Sequence, residues 1–301
     1  MEGSDLQRAI AAGRSAASEL GLPVDDAIVV QNSSRIALHL IPCDVLARVA
    51  PPGSSWHASA EFEVEVARRL AGTDSPLAEL ESRVDPGVHR RGGFAVTLWT
   101  YYEPVPPPTL TPEEYSSALL RLHAGLRQVD IKAPHFTDRV AEAQALVADI
   151  DQTPELTAQD RELLSDTLHR LGDAIRRHLG RDQLLHGEPH PGNLLRTRSG
   201  LLFIDLETCC YGPVEFDIAH GLLPSADREL AADALCQHYS GADRSVVDRC
   251  LTLIWAMITA WRWNQTDQLP NRDYWRLEGL RRLRAALDQE ARGSNAAAGD
   301  A

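Results

Sequence analysis

Residues 186–193 read His-Gly-Glu-Pro-His-Pro-Gly-Asn, and residues 201–207 read Leu-Leu-Phe-Ile-Asp-Leu-Glu. The apolar runs on either side of an intervening Ser-Gly turn predict a short hairpin. Asn193 and Asp205 then lie at the open end of this hairpin. Glu188 precedes Asn193 by five residues, on a loop stiffened by two prolines. The pattern therefore predicts that an amide and two carboxylates converge.

These three side chains suit a particular chemistry. Magnesium prefers oxygen ligands and is usually bound through one or two carboxylates together with substrate phosphates. Asn193 and Asp205 fit that role. Glu188 is then available to accept a proton from an attacking hydroxyl.

The flanking sequence predicts an α+β chain in two lobes. Strands are predicted at 27–31, 36–40, 45–49 and 94–99. Helices are predicted at 5–20, 59–71, 138–150, 157–179, 217–240, 245–264 and 273–291, with a further one starting at Thr111. The proline run at 106–108 favours a boundary near it. We expect a small β-rich N-terminal lobe over 1–103, a larger helical C-terminal lobe over 104–291, and a disordered tail over 292–301.

Composition narrows the class of protein. The net charge of −13 disfavours binding to a nucleic-acid backbone, and no apolar run is long enough to predict a membrane span. The first 25 residues mix acidic residues with alanine and arginine, so we expect no secretory signal. The five cysteines do not form a disulfide framework, which favours a reduced cytoplasmic protein.

The motif resembles the catalytic and metal loops of the aminoglycoside phosphotransferase family. The shared pattern is His-Gly-acid followed five residues after the acid by Asn, and then by Ile-Asp-x-Glu. The family consists of protein-kinase-like small-molecule kinases and includes choline kinases and maltokinases. The resemblance implies a bilobal protein-kinase-like fold, a nucleoside triphosphate as donor and Mg²⁺ as cofactor.

Carried over residue by residue, the resemblance makes Glu188 the catalytic base, where the family usually has aspartate. Asn193 and Asp205 would hold Mg²⁺. The extra methylene of Glu188 matters, because misplacing a catalytic group by about 1 Å can cost about 100-fold in rate. The other matches are His186, which would brace the loop, Glu207, a second acidic position of the metal loop, and Asp217, which would hydrogen-bond the catalytic loop.

The nucleotide would need a cation on the third strand, paired with a helix glutamate. Lys132 is the only lysine and lies far downstream, so Arg48 is the candidate. An arginine fork can bind phosphate oxygens through two donors. Glu61, Glu63 and Glu65 are possible partners, of which we predict Glu63.

Three further sets of residues complete the predicted site. The turn that covers the phosphates would be Asn32-Ser33-Ser34-Arg35, with Ser33 and Ser34 as its predicted binding residues. The nucleotide base, adenine or guanine, would stack near Trp99, Tyr101 and Tyr102. The acceptor would be bound by some of Glu215, Asp217, Trp263 and Asp267.

The predicted activity is transfer of the γ-phosphoryl group of ATP or GTP to a hydroxyl of an antibiotic, which would inactivate it. A sugar or amino-sugar metabolite is the alternative acceptor. We expect a monomer or homodimer that binds neither nucleic acid nor membrane.

Two other classes stay open. His186-x-Glu188 matches half of the zinc deaminase signature, whose other half, Pro-Cys-x-x-Cys, is missing. The adjacent Cys209 and Cys210 would make poor joint ligands. A non-catalytic nucleotide-binding pseudokinase, with Glu188 as its lesion, is the second alternative.

Overall fold

The computed structural model describes residues 1, 3–33, 35–105, 110–177, 182–224, 230–269 and 271–299. Within them the strands are Val24–Asn32 (β1), Ile36–Pro42 (β2), Val45–Ala50 (β3), His89–Arg91 (β4), Phe94–Thr100 (β5), Gln183–Leu185 (β6), Leu194–Thr197 (β7), Gly200–Phe203 (β8) and Cys210–Gly212 (β9). The helices are Gly3–Glu19 (α1), Ser55–Leu70 (α2), Pro112–Leu126 (α3), Phe136–Ala148 (α4), Ala158–Arg177 (α5), Val214–Gly221 (α6), Ala232–His238 (α7), Arg244–Arg262 (α8) and Arg272–Gly299 (α9). The predicted α+β class is confirmed. In the described part of the chain, no helix is both long and apolar enough to cross a bilayer.

The chain forms two compact units. The first contains Met1–Leu110, Ser117–Lys132 and Gly192–Cys209, and the second contains Thr111–Ser116, Ala133–Pro191 and Cys210–Ala301. The first unit thus includes the β7–β8 hairpin, which the sequence analysis assigned to the helical lobe. The reason is main-chain pairing, since Phe203 N donates to Pro76 O at 2.8 Å and Ala78 N donates to Phe203 O at 3.1 Å. The proline run at 106–108 lies outside the described residues.

In the first unit, five described strands form an antiparallel sheet in the order β1-β2-β3-β5-β4. Val45, Ala47 and Val49 of β3 belong to the core cluster that also contains the buried alanines of α1. Because side chains alternate along a strand, Arg48 and Ala50 lie on the opposite face. Ala50 there shares a cluster with Ala60 of α2.

This register explains how the sheet presents Arg48 to α2. Residues three apart on a helix share a face, so Glu63 lies on the same side of α2 as Ala60. Alternation on β3 and helical spacing on α2 thus bring Arg48 and Glu63 together.

In the second unit, α8 contacts α4, α5, α6 and α9. The α8–α9 contact is tight at Gly279, where an added Cβ would lie 2.1 Å from Thr259 Oγ1. A short antiparallel pair, β6 with β9, anchors the loop that follows β6. α6 begins at Val214, directly after β9, and carries Asp217.

Two predicted segments differ in the structure. The predicted continuous helix over 217–240 is wrong, because α6 ends at Gly221 and residues 222–224 are not helical. Pro224 accounts for the break, since a proline disfavours helical geometry in the residue before it. Residues 292–299, expected to be disordered, continue α9. The run Ala296-Ala297-Ala298 has high helix propensity, which the sequence analysis underweighted.

Candidate active site

A cluster of three carboxylates lies in the first unit. Glu63 comes from α2, while Asp205 and Glu207 come from the chain after β8, and one oxygen of each lies within 4.8 Å of the others. The main chain ties the two elements together, since Leu206 N donates to Glu63 Oε1 at 3.2 Å. Asp205 has φ 73° and ψ 64°, a left-handed conformation that is uncommon outside glycine and is concentrated at functional sites.

Arg48 of β3 lies against this cluster. It donates to Glu63 and Asp205, and its Nη2 lies 3.6 Å from Glu207 Oε2. The centre of the guanidinium lies 5.5 Å from the ring centroid of Trp99. Burial alone would lower the pKa of Arg48, but the facing carboxylates outweigh it and raise the pKa. Arg48 is therefore a fixed positive charge at the cluster, in the predicted contact with Glu63.

A second arginine, Arg35, reaches the same carboxylates. It stands just before β2 and donates to Asp205, and to Glu207 Oε2 at 3.1 Å. Its guanidinium lies 4.3 Å from the ring centroid of Trp56, in the first turn of α2. Arg35 is the last residue of the turn that the sequence predicts to cover the phosphates, and no contact with the carboxylates was predicted for it.

The donor set of this cluster fits a magnesium ion. Burial raises the pKa of Glu207 to about 9, and the charges of Glu63 and Asp205 add to the effect. Burial likewise raises the pKa of Glu63. The raised pKa values follow from three carboxyl groups crowded into one buried place, an arrangement that a divalent cation relieves. The cluster offers an all-oxygen donor set, which is what Mg²⁺ prefers.

Asn193 lies at the start of the same hairpin. Its carbonyl accepts a hydrogen bond from Ile204 N at 3.1 Å, and the residue is buried. This bond closes the open end of the hairpin next to Asp205. The sequence analysis placed Glu63 with Arg48 rather than with the metal ligands, whereas the structure groups it with both.

The second unit braces the loop that carries Glu188. His186 N and Gly187 N donate to the two carboxylate oxygens of Asp217, each at 2.9 Å. Glu188 N donates to His186 Nδ1 at 3.4 Å. Tyr115 Oη donates to Pro189 O at 2.8 Å. Since Asp217 and His186 are fully buried, these contacts fix the loop backbone from within.

The side chain of Glu188 is 27% exposed and forms an ion pair with Arg139 of α4. Arg139 Nη1 also donates to Gly187 O at 3.3 Å, and its guanidinium lies 5.2 Å from the ring centroid of Trp261. Burial would raise the pKa of Glu188, but the charge of Arg139, then of His220, and the hydrogen bond from Arg139 together hold it below its usual value. Glu188 is therefore ionised at neutral pH. No motif in the sequence pointed to Arg139.

The zinc alternative finds no support among the described residues. The carboxylate cluster contains neither histidine nor cysteine. Cys209 and Cys210 are fully buried, and burial raises the pKa of Cys210 to about 12. Zinc binds the thiolate, which such a site disfavours.

The residues predicted for the nucleotide base lie at the end of β5. Trp99 is buried and its Nε1 donates to Thr97 Oγ1 at 2.8 Å. Tyr101 stacks on His39 with ring centroids 3.5 Å apart. Tyr102 is half-buried, and burial raises its pKa. Base stacking stays a prediction for them. In the predicted phosphate-covering turn, Ser33 is exposed, and Ser34 lies outside the described residues.

The residues predicted for the acceptor have partners within the second unit. Glu215 is buried and accepts from Asp243 N at 3.0 Å, next to the start of α8. The guanidinium of Arg276 lies 4.8 Å from the ring centroid of Trp263. Asp267 pairs with Arg262 at 3.2 Å. Acceptor contact by these residues, and by the loop-bracing Asp217, stays a prediction.

Known families and structures were compared with this chain. Residues 32–249 match the model of the phosphotransferase enzyme family. The search of curated proteins found no significant match.

Similar solved structures include the choline kinase LicA from Streptococcus pneumoniae, with a TM-score of 0.68 and 13% identity over 95% of this chain and 100% of that one. The amicoumacin kinase hAmiN, solved with AMP-PNP, Ca²⁺ and Ami, gives 0.61 and 13% over 93% and 96%. The GDP complex of wild-type aminoglycoside 2'-phosphotransferase-IIIa gives 0.63 and 14% over 91% and 96%. At these identities the likeness shows the fold, which is protein-kinase-like.

Proposed function

The chain belongs to the phosphotransferase enzyme family and acts on an alcohol group, and we propose that it transfers the γ-phosphoryl group of ATP or GTP to a hydroxyl of a small molecule. The observation that carries the proposal is the cluster of Glu63, Asp205 and Glu207 with Arg48 donating into it. It combines the two features a triphosphate requires, oxygen ligands for its cation and a guanidinium for its phosphates.

Asp205 and Glu207, with Asn193 from the same hairpin, would hold Mg²⁺, and Glu63 would anchor Arg48. A bound Mg²⁺ would supply positive charge for the phosphate oxygens of the donor. Arg48 offers a planar fork that binds two phosphate oxygens at once, and its ion pairs keep that fork oriented. The buried position of Arg48 and Glu63 makes this orientation rigid.

Glu188 is the proposed catalytic base. It orients the acceptor hydroxyl and takes its proton as the acceptor oxygen bonds to the γ-phosphorus. The bond from that phosphorus to the oxygen bridging the β- and γ-phosphates breaks, and that oxygen leaves on the nucleoside diphosphate. The products are a phosphate ester, a nucleoside diphosphate and a proton that Glu188 passes to solvent. Since the pKa of Glu188 is held low, the residue is in the form that accepts a proton.

We propose an antibiotic as the acceptor, with inactivation by phosphorylation as the outcome. Two solved structures of the same fold, an amicoumacin kinase and an aminoglycoside phosphotransferase, support an antibiotic. The alternative acceptor is a sugar or amino-sugar metabolite, and the choline kinase of the same fold, named for a small metabolite, supports a metabolite acceptor in general. The base of the donor would stack near Trp99, Tyr101 and Tyr102. The proposal includes a cytoplasmic monomer or homodimer that binds neither nucleic acid nor membrane.

One observation favours a second candidate, a nucleotide-binding protein without transferase activity. Arg139 engages the carboxylate of Glu188, and a base held this way is less available to a substrate. Such a protein would bind the nucleotide through the first unit but would not phosphorylate any acceptor.

A turnover screen separates the candidates. The protein is incubated with Mg²⁺ and either ATP or GTP against a panel of hydroxyl-bearing antibiotics and sugars, and diphosphate release and acceptor mass are measured. The proposal expects acceptor-dependent release together with a mass increase of one phosphoryl group. Nucleotide binding without either signal for any acceptor would favour the non-catalytic candidate. Absence of nucleotide binding would overturn both.

A further inference from the structure

Arg35, like Arg48, donates to the carboxylate cluster, and the predicted pairing of Arg48 with Glu63 does not account for this contact. It lies just before β2, whereas Arg48 lies within β3 and belongs to the sheet ladder. The two guanidiniums share Asp205 as an acceptor. Arg35 also donates to Glu207, while Arg48 also donates to Glu63.

We propose that Arg35 couples nucleotide binding to metal binding, by competing with a divalent cation for Asp205 and Glu207 and by binding the polyphosphate itself. This inference rests on the proposed function of the cluster and assigns a role to a residue outside its motif. A positive charge in hydrogen-bonding contact with two carboxylates opposes a metal ion that uses the same oxygens. The same charge favours a polyphosphate, which carries the opposite sign.

The surroundings of Arg35 allow its guanidinium to serve either carboxylate or phosphate. Its side chain is 13% exposed, and its guanidinium lies over Trp56, 4.3 Å from the ring centroid. A guanidinium held over an aromatic ring still has N–H donors pointing away from the ring, so we infer that Arg35 can turn from carboxylate to phosphate without losing the aromatic contact. Arg48, with Glu63 buried beside it, lacks this freedom.

Replacing Arg35 should change the affinities for Mn²⁺ and for a nucleotide analogue in opposite directions. Replacing Arg35 by methionine keeps an unbranched stem over Trp56 and removes the charge. Binding of Mn²⁺ alone should then become about tenfold tighter, because a charge-assisted contact to the ligand oxygens is lost. Binding of a non-hydrolysable analogue of ATP or GTP in the presence of Mg²⁺ should become about tenfold weaker, because a phosphate contact is lost.

Two further variants separate charge from packing. Arg35→Lys keeps the charge without the planar fork, so Mn²⁺ binding should stay close to that of the parent while analogue binding weakens. Arg90→Met is the matched control, since Arg90 is an exposed arginine of β4 that pairs with Glu61 on α2. It should leave both affinities unchanged.

The experiment measures Mn²⁺ binding by electron paramagnetic resonance and analogue binding by calorimetry, with folding checked by circular dichroism. Unchanged Mn²⁺ affinity, or Mn²⁺ and analogue affinities that fall together, in a folded Arg35→Met protein would overturn the inference. If Arg35→Met does not fold, Arg35→Lys decides, because weakened Mn²⁺ binding there contradicts the charge argument and parental Mn²⁺ binding with weakened analogue binding supports it. Failure of the parent protein to bind any analogue would instead overturn the proposed function.

Discussion

Arg139 of α4 donates to the carboxylate of Glu188 and to the carbonyl of Gly187, so one guanidinium holds both the side chain and the backbone of the candidate catalytic loop. This contact bears on why glutamate stands where related kinases usually have aspartate. The longer side chain reaches an arginine that comes from a helix remote in sequence. We interpret Glu188 and Arg139 as one unit, in which the arginine fixes the carboxylate that the extra methylene would otherwise leave loose.

Removing the carboxylate of Glu188 should abolish most of the transfer. We expect Glu188→Gln to lower kcat by about 10²–10⁴, the usual contribution of a positioned general base. Nucleotide binding should stay near that of the parent, because the carboxylate cluster that would bind it lies on other elements. Steady-state kinetics and calorimetry measure the two effects. Glu142→Gln, an exposed position on α4, is the control and should change neither.

Shortening the base tests the pairing with Arg139. Glu188→Asp retains the charge but draws the carboxylate away from the guanidinium, and we expect a loss of kcat of up to about 100-fold. Arg139→Met should cost less in Glu188→Asp than in the parent, because the contact is already weakened. A double-mutant cycle on kcat/KM measures this coupling. Fully additive effects of the two substitutions would show that the residues act independently.

The pH dependence of kcat/KM should report on the same ion pair. Arg139 lowers the pKa of Glu188 against the effect of burial, so its removal raises that pKa. The base is then protonated at higher pH, and the acid limb of the profile for Arg139→Met should shift upward, with activity retained on the alkaline side. Arg139→Lys keeps the positive charge, so its acid limb should lie between those of the parent and of Arg139→Met.

Other titratable groups that interact with Glu188 are His220 of α6, Cys210 of β9 and His190 of its own loop, and Asp217 interacts in turn with His220 and Cys210. Burial lowers the pKa of His220 to about 4, so His220 is neutral on the alkaline side of the limb and titrates close to the limb of the parent. Arg176→Met, an exposed position on α5 that pairs with Asp173, is the control. An acid limb that does not move in Arg139→Met would contradict the assignment of Glu188 as the titrating base.

The hydrogen bonds that Asp217 accepts from the loop should contribute to the free energy of unfolding. Asp217 accepts from the amides of His186 and Gly187, and an asparagine can satisfy only one of them. We expect Asp217→Asn to lower the free energy of unfolding by about 1–3 kcal/mol, the cost of an unpaired buried amide. Urea denaturation measures the loss, with Asp173→Asn as an exposed control. If Asp217→Asn unfolded with the same free energy as the parent, the hydrogen bonds of Asp217 would not stabilise the protein.

The sequence predicted structure best where the interacting residues lie close together in the chain. The hairpin from Asn193 to Asp205 could be predicted from its apolar runs and turn. The Arg48–Glu63 contact could be predicted from the resemblance to protein-kinase-like enzymes together with helix spacing. Local patterns were less reliable where a single residue interrupts a helical pattern. The predicted helix over 217–240 is broken in this way before Pro224, after α6 ends at Gly221. The grouping of the hairpin with the first unit depends on main-chain pairing at Leu77, which no local signal records.

The two arginines that the sequence did not single out share one physical reason. Arg35 meets its partners across 170 and 172 residues, and Arg139 meets Glu188 across 49. Such contacts are decided by how elements pack and not by spacing within an element. With 29 arginines in the chain, composition gave no reason to prefer these two.

The central claim is that the cluster around Asp205 binds the metal and polyphosphate of the donor. The most direct measurement is calorimetric titration of a non-hydrolysable ATP or GTP analogue with Mg²⁺ into the parent, Asp205→Asn and the control Asp74→Asn, whose exposed carboxylate pairs with Arg121 in the same unit. The account predicts Mg²⁺-dependent binding that is weakened at least tenfold in Asp205→Asn and kept in Asp74→Asn. Equal affinity and equal Mg²⁺ dependence in all three proteins would contradict it.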